Sequence, residues 1–212
     1  ESENPPTLIR NPKWVDIILP LFKFLDTTPG YRELDISMLF LTFFTVFVAM
    51  IIGDAAYGVI FLGLTLFMRM KMKKAPSQVF ILLSVLSFAT IIWGVITGTW
   101  FASKTLAEIP VLKAMIIPEI ASFGPEDTSA MIKQLSFIIG MVHLTIGILI
   151  SFIRKMPSLV AIAELGWLMI LYAAYFLARF FVFGVELSQI TLPLFLAGFG
   201  VYQIWLGIQR LW

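Results

Sequence analysis

The sequence predicts an all-α fold: a polytopic transmembrane helix bundle of about six spanning helices. Three observations predict it. Of the 212 residues, 59% are hydrophobic and only 13% carry a charge, whereas soluble domains are roughly 45–50% apolar and about 25% charged. The apolar residues gather in blocks of about twenty, a length that crosses a ~30 Å hydrocarbon core at 1.5 Å rise per residue. The basic residues, finally, fall unevenly among the segments that join the blocks.

Residues 1–36 are the one long polar segment. Within it Trp14, Ile17, Ile18, Leu21, Phe22 and Leu25 recur at helical spacing, with Lys13, Asp16, Lys23 and Asp26 among them. That pattern predicts a short amphipathic helix, bent or restarted at Pro20. Its apolar face has two candidate partners, the membrane surface or a soluble domain. The chain opens at Glu1 on a polar stretch with no leader pattern, and ends just after an apolar run. Both ends therefore read as cuts within a longer protein. The domain expectation is a cytoplasmic linker with an interfacial amphipathic helix over 1–36 and a partial transmembrane domain over 37–212.

Six apolar runs follow, at about 36–53, 55–70, 77–101, 132–153, 158–183 and 191–209. Gly53-Asp54 separates the first two, so they read as two short segments rather than one over-long helix. The connection 102–131 carries Pro110, Pro118, Gly124 and Pro125 and cannot be one continuous helix. Placing the N-terminal segment in the cytoplasm assigns Arg10, Lys13, Lys23, Arg32, Arg69, Lys71, Lys73, Lys74, Arg154, Lys155 and Arg210 to that side. That is eleven of the 15 Lys and Arg residues. Lys104, Lys113, Lys133 and Arg179 fall opposite. The expectation is a multi-pass membrane protein with both ends of this piece cytoplasmic, and the compact loops favour a prokaryotic cell membrane over an organelle.

Small residues mark candidate helix contacts. Gly94 and Gly98 form a small-xxx-small pair; Ser136, Gly140 and Gly147 mark the fourth run, and Gly200 and Gly207 the sixth. Such residues let backbones approach closely in lipid.

Ionisable groups inside apolar runs are functional hypotheses by default. Asp54 begins the second run, where it either caps the free N–H groups of that helix or stands at the mouth of an aqueous cavity. His143, the single His, lies mid-run on one face with Gly140 and Gly147. It either carries protons or donates a hydrogen bond between helices. Glu164 lies about a turn and a half inside the fifth run and faces a water-filled inlet or reaches headgroups. Arg179 is fifteen residues further, about 22 Å along the axis, too far to pair with Glu164 and placed to snorkel. Gln203 in the sixth run is a weaker candidate of the same kind.

Much is excluded. There is no Cys, so disulfide and thiolate chemistry are absent. A net charge of +2 carries no electrostatic footprint for nucleic acid. One His and scattered acids assemble no metal site, and no P-loop, GxSxG or HExxH motif is present. No catalytic residue, metal ligand or cofactor is predicted.

Four pieces in order carry a family resemblance. They are Pro5-Pro6-Thr7-Leu8-Ile9-Arg10-Asn11-Pro12-Lys13, then Gly53-Asp54-Ala55-Ala56-Tyr57-Gly58, then Gly94-Val95-Ile96-Thr97-Gly98 with Phe101 and Ser103-Lys104. The last is Gly140-Met141-Val142-His143-Leu144. The chain resembles the membrane domain of the large stator subunit of V-type and A-type rotary ATPases, called subunit a or subunit I. It departs from the Gly-Asp-x-Gly signature at Ala56.

The resemblance implies a non-catalytic subunit, without a cofactor, of an ATP-driven complex moving protons or sodium ions. It implies as partners the proteolipid ring, the peripheral stalk, the central-stalk subunits and the bilayer. It also implies that the piece stops before the last two of eight helices, one of which bears the essential arginine; Arg179 does not take that role. Asp54, His143, Glu164 and Gln203 become candidates to line the ion path. The competing reading is an independent secondary transporter. Such transporters show broken helices at matching places in two halves, and the break at Gly53-Asp54 has no counterpart in the later half.

Overall fold

A computed structural model describes residues 11–26, 35–124 and 126–209. The opening motif as far as Arg10, linker residues 27–34 with Arg32 among them, and Arg210 lie outside them. The described residues form helices and turns with no strand. The chain divides into two compact units, one through Ser129 and one from Ala130.

In the first unit a 3-10 turn, Asp16–Ile18, runs into α1 (Leu19–Phe24), with Pro20 in its first turn, where its missing N–H costs nothing. α2 (Ser37–Ile52) follows, its first N–H met by Asp35, which accepts from Ser37 at 2.9 Å. Gly53 ends α2 in the left-handed conformation, φ 65°, which a residue without Cβ adopts at no steric cost. α3 (Ala55–Lys71) then leaves at 119° to α2. One straight helix through both runs is thereby ruled out, and the break expected at Gly53-Asp54 is where the chain turns. α4 (Ser77–Thr97) packs against both α2 and α3.

The amphipathic segment finds its cover inside this unit. Val15, Ile17, Ile18 and Phe22 are buried. Ile17, Ile18 and Phe22 form one cluster with Leu41 of α2 and Leu82 of α4. Phe22 and Phe40 sit 5.3 Å apart between ring centroids, and Phe40 stacks on Phe44 at 5.6 Å. The sequence offers headgroups or a soluble domain as partners for that face. In the structure the flanks of α2 and α4 take that place, because two aromatic helices leave a groove that four apolar side chains fill.

Beyond α4 the chain makes two four-residue helices, α5 (Lys104–Ala107) and α6 (Pro110–Lys113), and a 3-10 turn, Pro118–Ile120. This is the broken, Pro-bearing connection that the sequence predicts.

The second unit holds most of α7 (Glu126–Lys155), with α8 (Leu159–Phe183) and α9 (Thr191–Gln209). α8 ends at Gly184, φ 64°. α8 and α9 pack closely through a pair of glycines. A Cβ on Gly166 would lie 2.8 Å from the Gly198 carbonyl oxygen, and one on Gly198 would lie 2.6 Å from that of Gly166. Trp167 meets Tyr202 edge-on beside that contact, at 5.4 Å. Two of the glycines singled out in the sequence, Gly147 and Gly200, behave differently. A Cβ on Gly147 or Gly200 meets nothing within 4 Å among the described residues. These two therefore make no close helix contact within the unit, and Gly166 and Gly198 make it instead.

By length and apolar composition α4, α7 and α8 each suffice to cross a membrane, and α2 with α3 suffice as a bent pair. That makes three such helices among the described residues, or four with the pair counted as one span. The expected count of about six treats α2, α3 and α9 as separate crossings, and length alone does not carry them: the 16 residues of α2 reach about 24 Å.

Candidate functional site

The polar groups at helix ends divide into two local constructions. In the first unit, Asp54 sits in extended conformation between α2 and α3 and is only 4% exposed. Its Oδ1 accepts from the N–H of Ala56 at 2.9 Å and of Tyr57 at 3.2 Å. These are free donors of the first turn of α3, so the side chain is its N-cap. Its Oδ2 accepts from the N–H of Ala102 at 3.0 Å, 48 residues away. The adjacent Ala55 N–H donates to the Thr99 carbonyl oxygen at 2.9 Å. One carboxylate thus joins the α2–α3 break to the segment after α4.

The fit depends on small residues. A Cβ on Gly94 would come 2.0 Å from the Ala55 nitrogen and 2.6 Å from the Asp54 carbonyl carbon. A Cβ on Gly58 would lie 2.8–2.9 Å from atoms of Ile91. Only residues lacking a side chain let α3 and α4 approach this far. Gly98 caps α4 at φ 74° and packs under Ile116. The Thr99 N–H returns to the Gly94 carbonyl at 2.8 Å. Phe101 and Ala102 both stand at φ 51°, a region costly for residues with a Cβ. The bond from Ala102 to Asp54 and the edge-on packing of Phe101 on Tyr57 at 5.5 Å hold them there.

In the second unit Glu164, early in α8, faces the end of α7. Its Oε1 accepts from the Ser151 hydroxyl at 3.0 Å and forms an ion pair with Lys155. The Glu164 side chain is 14% exposed and that of Lys155 43%, so the pair is half sheltered. Ser151 and Lys155 are four apart on one face of α7, and both reach across the turn through Pro157. Neither the water inlet nor the headgroup reading of Glu164 includes these partners. The i, i+4 spacing before a tight turn is the signal that points to them. His143 lies eight residues before Ser151 on α7, about 12 Å along the axis. Gln203 lies exposed on α9. Asp54 thus belongs to the first unit, and His143, Glu164 and Gln203 to the second, on α7, α8 and α9 in turn.

A third feature is the cleft between α7 and α8. Ser136, Gly140, Leu144, Leu171, Ala174 and Tyr175 are among its walls, and it encloses about 440 Å³. Gly140 borders this volume. No group of three or more His, Cys, Asp or Glu side chains converges on one point among the described residues.

The chain is 35% identical over 202 residues to V-type ATP synthase subunit I of Borreliella burgdorferi, covering 92% of this chain and 32% of that protein. It is 37% identical over 180 residues to V-type ATP synthase subunit I 1 of Treponema pallidum, 82% of this chain and 29% of that one. The chain is homologous to subunit I of V-type and A-type ATP synthases. The A-type ATP synthase subunit I of Methanocaldococcus jannaschii is a more distant relative, 24% identical over 175 residues and 71% of this chain. The chain spans about a third of the length of the V-type subunit I relatives it matches. No protein-family model matches it. Its apolar, all-helical build makes this subunit I homologue a membrane protein.

Proposed function

We propose that this chain is the membrane-embedded scaffold of the stator in a V/A-type rotary ATPase, holding and lining the ion half-channels against a proteolipid ring. Homology to subunit I across 92% of the chain carries the reading. The subunit catalyses no ATP chemistry. It moves with neither rotor nor ions but presents fixed polar groups beside the ring, in the membrane of the cell, with both ends of this piece on the cytoplasmic side. The Asp54 knot keeps the α3–α4 pair rigid, as a stator under torque requires. Glu164 and His143, on helices apolar enough to span, line the ion path, with Gln203 next to them in role.

Two measurements test this. Affinity purification of the complete tagged protein in mild detergent is expected to recover the proteolipid ring, stalk subunits and soluble ATPase subunits. Recovery of the subunit alone, with transport of a solute in vesicles, would favour the secondary transporter. In the assembled complex, Glu164→Gln, His143→Ala and Gln203→Leu are each expected to reduce ATP-driven ion pumping while leaving assembly intact. Unchanged pumping in all three rejects the lining role.

A further inference from the structure

We propose that the segment between α4 and α7 is a phospholipid-headgroup site, with Lys104 and Lys113 taking the phosphodiester and the exposed apolar residues around them seated among the acyl chains. The inference rests on α4 as a membrane-spanning helix and is independent of the stator reading.

The segment is tied down at the level where α4 ends. The Ile117 N–H donates to the Ile96 carbonyl at 2.9 Å and the Ser122 N–H to the Thr97 carbonyl at 2.7 Å. The Thr99 hydroxyl donates to the Ser122 hydroxyl oxygen at 2.6 Å, and Asp54 holds Ala102. A loop fastened so to the last turn of a span lies in the membrane interface rather than out in water. Its exposed surface fits that place. Val111 is 72% exposed, and Phe101, Ile109, Met115 and Ile117 are each more than 40% exposed. In water such a cluster on one short loop is unfavourable; at the boundary of headgroups and acyl chains it is stabilised.

A pocket of about 310 Å³ opens within the same segment. Lys104, Lys113 and Glu108 line it, and its other walls include Ile116, Pro118 and Phe123. None of the three charged side chains makes an ion pair among the described residues. Two ammonium groups against one carboxylate leave the pocket with a surplus of positive charge. A phosphate monoanion whose glycerol and chains continue over Ile116 and Phe123 satisfies both halves of the lining. A free phosphate satisfies only the polar half, which is why the lipid is the favoured source.

The test uses the complete protein in detergent and native mass spectrometry with phosphatidylglycerol as the probe. The wild type is expected to retain one lipid that the double variant Lys104→Ala/Lys113→Ala loses, each single substitution weakening retention roughly fivefold. Glu108→Gln, which removes the acid, is expected to strengthen retention. Val111→Ser, which removes apolar surface and adds no charge beside the pocket, is expected to weaken it. All four positions are exposed, so thermal midpoints should match the wild type; equal lipid retention by the wild type and the double variant overturns the site. Full displacement of the bound lipid by inorganic phosphate would instead overturn the choice of a lipid over a free anion.

Discussion

In the unit that ends at Ser129, Asp54 gives both carboxylate oxygens to backbone N–H groups and is almost wholly buried. In the unit that begins at Ala130, Glu164 gives one oxygen to two side chains, Ser151 and Lys155, and stays partly open to its surroundings. Both acids sit at the ends of apolar helices, yet the chemistry differs. A buried cap with three N–H partners has no alternative arrangement, because each donor left without it is unsatisfied in a medium that cannot replace it. A side-chain pair at a helix hairpin can break and re-form as Lys155 rotates. The first construction suits rigidity. The second suits a group that changes partners, and for that reason Glu164 is the better candidate for contact with a moving ion.

The comparison predicts a graded series in the complete protein, read as thermal unfolding in detergent. Asp54→Ala should be the most damaging, about 3 kcal/mol, since it strands three N–H groups, that of Ala56 in a buried bond and those of Tyr57 and Ala102 in part-buried ones. Asp54→Asn should cost less, because an amide oxygen still caps α3 while its NH2 group cannot accept from Ala102. A D54A protein that melts like the wild type would break the distinction between the two regions.

Gly94→Ala comes next. Its Cβ would meet backbone rather than a flexible side chain, so α3 and α4 must separate, at about 1–3 kcal/mol. Glu164→Ala should lower stability by only about 1 kcal/mol, as expected for a half-exposed pair. Its effect on pumping should exceed its effect on melting; the reverse order would mark the pair as purely structural. Gly147→Ala closes the series, within about 0.5 kcal/mol of the wild type, because nothing stands near the added methyl. Gly198→Ala in the same unit provides the contrast: it should destabilise, since its neighbours include the Gly166 carbonyl.

What the amino-acid sequence determined by itself is the class and the punctuation. Blocks of apolar residues require a hydrocarbon surrounding whatever their neighbours are, and Gly53-Asp54 must end one helix and start another, because an αL glycine and an N-cap carboxylate act on their own backbone. The resemblance to subunit I was also legible, in short motifs that keep their order. Only the tertiary structure decided what those residues touch. Asp54 meets Ala102 across 48 positions, Ile17 and Phe22 find Leu41 and Leu82, and Gly166 rather than Gly147 marks a close helix contact. Every glycine in a spanning helix has the same local signature. Whether it faces a neighbouring backbone or open space depends on how two helices cross, and that is set by all their side chains together.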